Sequence, residues 1–392
     1  MTIISKPTSD PMQPTGSRFR AGISRRRLVG TALIGAATLL SAAPARATEA
    51  YRDYRRTIFV ARRGVAALDA IDVDSDTVTG TLALGLEPRE LQISQRGGRL
   101  AAIDLRSPRL VSVDLAAQSR SDVPLPFVPS RLRISPDGQR LAAFDDARGT
   151  IALLDTVDGR ERSRIDGPRE IREAIFSGDS SALLVAAASV GGLSAYYIAT
   201  GQPVPPVEGP TLHALLRAPN GREGFALTAE TPRRVLHLDL RSRQVLASVP
   251  ASDHPVLFAT GTGIQLLAID QHTGTLSILP SEPLQPGGVT LPAAASTAYA
   301  AWFDTVAFVP APATRKLLIF DLERRKAAGS IALDGIPGTG VVTPDGDKLY
   351  LPIEDQGTIS VIDTHLRQRT ASITIGAAPV QAIIAGGYGL CH

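Results

Sequence analysis

The chain has 392 residues, with 41 Lys/Arg against 38 Asp/Glu and a formal net charge of +3. Residues 1–47 hold seven of the basic residues and one of the acidic residues, which leaves 34 basic against 37 acidic in the rest. The positive charge of the whole chain therefore comes from its N-terminal segment. This distribution excludes the class of nucleic-acid-binding proteins that rely on a basic surface.

The first element in chain order is an N-terminal segment with three parts. A basic stretch, Arg25-Arg26-Arg27, precedes an uncharged run over residues 28–45, and Ala45-Arg46-Ala47 follows. This order is typical of a secretory signal with an A-x-A cleavage site. The run is rich in Ala and Gly, which makes it a weak membrane span. The alternative is a basic tail ahead of a core helix.

The sequence SRRRLV, from Ser24 to Val29, resembles the twin-arginine export signal, with Arg25 and Arg26 as the arginine pair and Leu28 where that signal usually has Phe. The resemblance implies export of an already folded chain. We therefore expect a signal peptide over residues 1–47, cleavage after Ala47, a linker over residues 48–56, and a soluble periplasmic product without a membrane span. A single cysteine in that oxidising compartment excludes an intramolecular disulfide.

The mature region consists of short apolar runs separated by turn residues. In the unit from Ile336 to Pro379, an apolar strand leads into Thr343-Pro344-Asp345-Gly346, followed by KLYLPI, TISVID and ASITIG. Runs of four to seven residues rich in Val, Ile, Leu, Thr and Tyr, bounded by Gly, Pro and Asp, predict strands. The unit thus predicts a four-stranded meander.

The end of the third strand marks the length of the repeat. It recurs every 40–43 residues, at Asp72, Asp114, Asp155, Ile198, Asp239, near Leu279, Asp321 and Asp363. This period predicts an all-β fold, a β-propeller of eight four-stranded blades over residues 57–392, with seven blades as the alternative. After Pro379 the chain supplies one more inner strand, VQAIIAG, and its N-terminal part supplies the other three. One blade is therefore predicted to combine strands from both ends.

The pattern PDG, then LYL, then ISVID resembles the YVTN-type propeller repeats of bacterial extracytoplasmic proteins. The resemblance implies a propeller over nearly all of residues 57–392. Its motifs consist of residues that favour turns: Asp and Gly form the hairpin, and a strand-ending Asp caps the next turn. They indicate the fold and leave the function open, because propellers carry unrelated chemistries.

Catalytic motifs are absent from the sequence. No glycine-rich nucleotide loop precedes a helix, no G-x-S-x-G motif occurs, and the six histidines show no metal-binding spacing. A surface or turn position is expected for each histidine.

Aligning the units on their Ser-Pro-Asp-Gly turns puts seven residues in one column of the innermost strands: Glu90, Arg131, Glu173, Ala214, Val256, Thr339 and Gln381. Strand alternation turns this column toward the central channel, with Arg89, His213 and the single tryptophan, Trp302, beside it. Two interpretations remain open. The column is either a solvated rim of mutually neutralised charges, or a mouth that binds a small anion, a cofactor edge or a partner loop.

The C-terminal pair Cys391-His392 also has several interpretations. Only YGLCH remains of the C-x-x-C-H haem-attachment motif. Thiolate and imidazole together suit copper or another soft metal, with further ligands from a partner. The simplest interpretation is the end of the chain.

Three functions are compatible with these observations. The first is a periplasmic ligand- or protein-binding scaffold without catalysis and with no cofactor identified. The second is a propeller subunit or maturation factor of a redox enzyme, since the heavy chains of amine dehydrogenases and the haem d1 propellers look similar at this level. The third is a lactonase-like hydrolase that uses Glu90 and Glu173. Whether the chain is an enzyme stays open at this point.

Overall fold

The computed structural model describes residues 50–94, 96–280, 284, 289–290, 295, 297–376 and 378–387. Within these ranges the chain forms 31 β-strands and two single-turn 3-10 segments, Tyr54–Arg56 and Pro312–Thr314. No helix in these ranges is long and apolar enough to cross a bilayer.

The strands of the first four blades are as follows. Blade 1 contains β1 (Thr57–Arg62), β2 (Ala67–Asp72), β3 (Thr77–Ala83) and the last strand of the chain, β31 (Pro379–Ile383). Blade 2 contains β4 (Glu90–Ile93), β5 (Arg99–Ile103), β6 (Arg109–Asp114) and β7 (Ser119–Pro124). Blade 3 contains β8 (Arg131–Ile134), β9 (Arg140–Asp145), β10 (Thr150–Asp155) and β11 (Glu161–Asp166). Blade 4 contains β12 (Ile171–Phe176), β13 (Ala182–Ala187) and β14 (Ser194–Tyr197).

The other four blades follow in chain order. Blade 5 contains β15 (Leu212–Arg217), β16 (Glu223–Thr228), β17 (Arg234–Asp239) and β18 (Gln244–Pro250). Blade 6 contains β19 (Pro255–Ala259), β20 (Gln265–Asp270), β21 (Thr275–Pro280) and β22 (Val289–Thr290). Blade 7 contains β23 (Tyr299–Ala301), β24 (Val306–Ala311), β25 (Lys316–Asp321) and β26 (Lys326–Ala332). Blade 8 contains β27 (Val341–Val342), β28 (Lys348–Ile353), β29 (Thr358–Asp363) and β30 (Gln368–Thr374).

The predicted eight-bladed β-propeller is confirmed, and the seven-bladed alternative is wrong. Each sheet is antiparallel, and its innermost strand is the first of its blade in chain order, except in blade 1, where β31 is innermost. The predicted closure is also confirmed, because β31 pairs with β1 through Phe59 opposite Ile383 and Ala61 opposite Gln381. The ring is thus closed by a blade from both ends of the chain, which leaves no unpaired edge between the first and last blades.

The hydrophobic core consists of eight clusters, each lying between two neighbouring blades. The second and third strands of each blade are covered on both faces, so they are apolar without alternation, as in β9 and β10. Outermost strands such as β3 and β26 are mostly exposed and polar. The burial pattern therefore follows the distance of each strand from the centre of its blade.

The turns use the predicted chemistry. In blade 3 the Ser135 hydroxyl donates to Asp137 Oδ1 at 2.5 Å and accepts from the Arg140 N–H at 2.9 Å. Gly138 in this turn has a φ of +72°, which glycine adopts without strain. Strand-ending carboxylates cap the next turn, and Asp72 Oδ1 accepts from the Ser75 N–H at 2.8 Å. These short hydrogen bonds are determined locally, so they recur in blade after blade.

Within the predicted linker over residues 48–56, the structure describes residues 50–56. Ala50 and Tyr51 are buried against blades 1 and 2. The Tyr51 hydroxyl donates to the Leu115 carbonyl at 2.9 Å, and its ring meets Phe59 edge-on at 5.0 Å. The Ala50 N–H donates to Gln118 Oε1 at 2.9 Å. Residues 50–56 therefore belong to the propeller.

The eight innermost strands run in the same direction around the channel, as the parallel bridge between Thr339 and Gln381 illustrates. We call the side on which these strands begin, with Glu90 and Arg131, the entry face. The side on which they end, with Ile93 and Ile134, is the exit face. Turns between second and third strands lie on the entry face, and the Pro-Asp-Gly turns lie on the exit face.

Candidate functional site

The column of inner-strand residues has a common register in the structure. Glu90 pairs with Ile103, Arg131 with Phe144, and Glu173 with Ala186, each the fifth residue of the neighbouring second strand. Ala214, Val256 and Gln381 hold the same register in their blades. Equivalent positions in adjacent blades therefore lie side by side around the channel near the entry face.

Three column residues form one ionic network with Arg133, which the sequence interpretation missed. The Arg133 Nη1 lies 2.8 Å from Glu90 Oε1, and its Nη2 lies 2.7 Å from Glu173 Oε1. Arg131 Nη1 lies 2.9 Å from the same Glu173 oxygen, and its Nε lies 3.3 Å from Asp146 Oδ2. The network links the innermost strands of blades 2, 3 and 4.

Because the network is partly buried, disrupting it would lower the stability of the folded chain. The Arg133 side chain is 11% exposed and both glutamates are 21% exposed. Burial raises the pKa of Glu90, although Arg133 and the Leu132 N–H, 3.0 Å from Glu90 Oε2, favour its charged form. A partly buried carboxylate of this kind needs its partner to stay charged. Glu90, Arg131 and Glu173 thus satisfy one another, as the rim interpretation describes.

Thr339 and Gln381 meet at the junction of blades 8 and 1. The Thr339 N–H donates to the Val380 carbonyl at 2.9 Å, and the Ala382 N–H donates to the Thr339 carbonyl at 2.8 Å. These two column residues contribute backbone contacts to ring closure. Arg89, beside the column, pairs with Glu87 at 2.9 Å.

A different set of basic residues lies on the entry face of blades 4 and 5. The register of β12 shifts between Ile171 and Glu173, and that of β15 shifts between Leu212 and Ala214. The two residues at these irregularities are Arg172 and His213, and both are exposed. Such bulges redirect side chains and are frequent beside binding sites. Matching bulges in adjacent innermost strands therefore place Arg172 and His213 together at the channel mouth.

Among the described residues, no acidic side chain forms an ion pair with the arginines at this point. The pKa of His213 is lowered from its usual 6.5 by burial first, and then by the positive charges of Arg233 and Arg172. Within the described ranges, no carboxylate lies within 4.0 Å of Arg172 or Arg233. The nearby Glu173 is held by Arg131 and Arg133, and the exposed Glu230 accepts the Thr211 N–H at 2.8 Å. We call His213, Arg172 and Arg233 the basic cluster.

Near the exit face the channel narrows between blades 2 and 5. Gln92, Arg133, Phe176 and Arg217 line a cavity of about 10 Å³ there, which is room for about one water molecule. The Arg217 Nη1 donates to the Phe176 carbonyl at 3.0 Å, and burial lowers the pKa of this guanidinium.

Trp302 does not join the predicted mouth. It follows the end of β23, so it lies on the exit face, at a φ of +45° in the turn Trp302-Phe303-Asp304. Its ring contacts His365 at 4.4 Å between centroids. The grouping of Trp302 with Glu90 and Arg131 is thus corrected, because residues at opposite ends of parallel strands reach opposite faces.

The histidines also differ in part from expectation. His237 is a buried residue of β17, where its Nε2 lies 2.9 Å from Glu223 Oε2 and its ring stacks on Phe225. Within the described residues no group of three or more His, Cys, Asp or Glu is placed to hold a metal ion. Cys391, His392 and the export-signal residues Arg25 and Arg26 lie outside the described residues.

The fold and site define an eight-bladed propeller with a polar channel mouth. No protein-family model matches the sequence, and no curated protein matches it significantly. Among solved structures, it is similar to the dihydro-haem d1 dehydrogenase NirN in complex with DHE. That match has a TM-score of 0.73 and 17% identity, over 86% of this chain and 76% of NirN.

Two further structures are similar. Apo AztD from Citrobacter koseri matches with a TM-score of 0.62 and 16% identity, over 85% of this chain and 98% of AztD. Hydrazine synthase from Kuenenia stuttgartiensis matches with a TM-score of 0.53 and 14% identity, over 71% of this chain and 95% of the other. At these identities the similarities establish the propeller fold.

Proposed function

We propose that this chain is an exported, periplasmic binding propeller that takes a small anionic ligand at the entry face. The observation that supports this most strongly is the pair of matching bulges that place Arg172 and His213 beside Arg233, with no acidic partner among the residues that the structure describes. The neighbouring charges of Glu90, Arg131 and Glu173 are already neutralised by Arg133 and one another. The excess of positive charge at the mouth is therefore confined to the basic cluster on blades 4 and 5.

The chemistry of the cluster favours a carboxylate- or phosphate-bearing ligand. Arginine binds such groups with two parallel hydrogen bonds, and an imidazolium adds a third charged donor. A bound anion would also relieve the repulsion between His213 and its two arginines. The positive charges that repel one another in the unliganded mouth therefore favour the binding of an anion.

A second candidate is a propeller that handles a haem d1-type tetrapyrrole, as a redox subunit or a maturation factor. The similarity to the DHE complex of NirN supports it. The residues of the mouth fit such a group: Arg172 and Arg233 would meet its carboxylates, and His213 is the imidazole beside them. When bound, a tetrapyrrole would supply electron-transfer chemistry that side chains lack.

The test is a native mass spectrum of the mature chain, purified gently from the periplasm of its own host. The variant is Arg172→Gln/Arg233→Gln, and the matched control is Arg106→Gln/Arg148→Gln, two exposed arginines of the entry face on blades 2 and 3. A bound anion that is lost only from the first variant supports the proposal, and a bound pigment selects the second candidate. A chain that carries no ligand and binds citrate no tighter than about 10 mM would contradict it.

Isothermal titration with sulfate, whose charge stays constant between about pH 5 and about pH 8, gives a second readout at several pH values. Because a bound anion raises the lowered pKa of His213, affinity should increase as the pH falls from about 8 to about 5. Arg172, on β12, and Arg233, in the turn before β17, are the charged groups that act on this imidazole. His213→Gln should remove the pH dependence and leave the affinity at pH 8 nearly unchanged.

A further inference from the structure

Blade 4 differs from the other seven because it has no regular outermost strand. After β14 the chain continues as QPVPPVEGP over residues 202–210, with four prolines. This segment makes one bridge to the sheet, between Tyr196 and Pro203. Three backbone hydrogen bonds accompany it: the Val204 N–H donates to the Ala195 carbonyl at 2.8 Å, the Tyr197 N–H to the Gln202 carbonyl at 2.9 Å, and the Gly192 N–H to the Pro210 carbonyl at 2.9 Å. Proline has no N–H to donate, so the segment cannot complete a ladder. The outer edge of blade 4 is therefore covered only in part.

A large cleft lies where this strand is incomplete. It has a volume of about 910 Å³ and lies on the exit face between blades 4 and 5. Leu184, Ala195 and Leu240 form buried apolar parts of its wall, and Tyr197 stands at it with 50% of its surface exposed. Cavities of this size, with an apolar lining and a few polar groups, are typical of small-molecule sites.

The charged residues of the cleft are unevenly partnered. Four arginines line it, against two aspartates. Asp179 accepts from the Ser177 hydroxyl at 2.6 Å and the Ser181 N–H at 3.0 Å, and Asp239 accepts from the Ser242 N–H at 2.6 Å. These hydrogen bonds lower the pKa of both carboxyls, and each carboxylate accepts them from its own turn.

The arginines are not closely paired with these carboxylates, although the positive charge of Arg222 also lowers the pKa of Asp239. In the described part of the chain, no carboxylate lies within 4.0 Å of Arg96, Arg222, Arg241 or Arg243. Arg243 donates to the Pro205 carbonyl at 2.6 Å, and its Nε is buried without a hydrogen-bond partner among the described residues. A buried, unsatisfied charged donor is unfavourable unless a ligand or water completes it.

We propose that this cleft is a second binding site, for an organic anion with an apolar body. The apolar body would lie against Tyr197 and the buried leucines, and the anionic group would meet Arg222, Arg241 and Arg243. The site is independent of the basic cluster at the channel mouth, since His213 lies on the entry face and the cleft opens on the exit face. It owes its existence to the prolines that replace the outer strand of blade 4.

The experiment compares two fluorescent probes with the mature chain. 1-Anilinonaphthalene-8-sulfonate carries an anionic group, and N-phenyl-1-naphthylamine is its uncharged counterpart. The sulfonate should bind at one saturable site, about tenfold or more tighter than the neutral probe. Equal affinities, or a non-saturating signal, would overturn the proposal.

Variants locate the site. Arg222→Glu/Arg241→Glu changes two exposed side chains and should weaken sulfonate binding about tenfold or more, with little effect on the neutral probe. Arg325→Glu is the matched control, an exposed arginine in the corresponding turn of blade 7, and should leave both affinities unchanged. Loss of sulfonate binding in Arg325→Glu would contradict the assignment to the cleft.

Discussion

At the scale of single residues, Arg133 is the most consequential side chain near the channel. It lies two positions after Arg131 on β8, so both side chains emerge on the same face of the strand. From there its guanidinium reaches carboxylates on the strands of two other blades, Glu90 and Glu173. Arg133 thus links three blades, and its removal takes the arginine away from the partly buried Glu90 and leaves Glu173 with Arg131 as its ion-pair partner.

We expect Arg133→Met to lower the free energy of unfolding by about 3 kcal/mol, because breaking a buried ion pair leaves its partner uncompensated. Chemical denaturation followed by circular dichroism measures the loss. Arg148→Met, which removes a 79% exposed arginine from its pair with Asp145, should cost less than about 1 kcal/mol. Adding Glu90→Gln and Glu173→Gln to Arg133→Met should recover part of the stability. Equal effects of the two arginine substitutions would show that the network is only a solvated rim.

At the scale of elements, the most important contact is the pairing of β31 with β1. Without β31, the edge of β1 exposes unpaired backbone groups, and Phe59 and Val60 lose the cover of Ile383 and Ala382. A second contact spans the same blades, since Lys348 Nζ of β28 lies 2.9 Å from Asp76 Oδ2 in the turn after β2. The last strand therefore completes a sheet and also fixes the join between the first and last blades.

Deletion of residues 379–392 should yield a chain that aggregates or melts at a clearly lower temperature, because an exposed strand edge promotes association. Size-exclusion chromatography and thermal unfolding measure both effects. A synthetic peptide of residues 379–387, added in excess, should restore the monomer and part of the stability. If the truncated chain stayed monomeric and melted as the full chain does, closure by β31 would not contribute to stability.

At the scale of the whole molecule, the repeated turns give the propeller a shared dependence on pH. Eight turn aspartates have a lowered pKa: Asp72, Asp104, Asp155, Asp179, Asp239, Asp270, Asp321 and Asp345. Burial opposes the shift at most of these positions, but hydrogen bonds from turn N–H groups and hydroxyls outweigh it. These aspartates are distributed around the ring, so the pH dependence of stability that they cause does not depend on a single blade.

A pKa that is lower in the folded state adds stability above the unfolded value, and this stability disappears as the pH falls through the folded value. We therefore expect a nearly constant melting temperature between about pH 7 and pH 5 and a steep fall below about pH 4. Differential scanning calorimetry across this range is the measurement. Asp72→Asn and Asp239→Asn should make the acid-side slope shallower. A melting temperature that falls equally on both sides of neutrality would contradict this account.

Much of the candidate site could be predicted because it depends on register. Glu90, Arg131 and Glu173 were aligned correctly, since each lies at a fixed distance from a turn of the same kind. One column position per blade does not single out Arg133, although strand alternation from Arg131 points to it. Trp302 lies after the end of β23 and so reaches the face opposite to the predicted mouth.

The strands, their turns and the length of the repeat follow from the sequence alone, because they depend on hydrogen bonds and apolar runs within about ten residues. The sequence left seven blades as an alternative to eight, and closure of the ring rests on the pairing of β31 with β1 from opposite ends of the propeller. Which charges meet depends on the tertiary structure. The bulges at Arg172 and His213, the Arg133 network and the cleft beside blade 4 depend on distances between strands about 40 residues apart in the chain, and those distances are set by how the blades pack against one another.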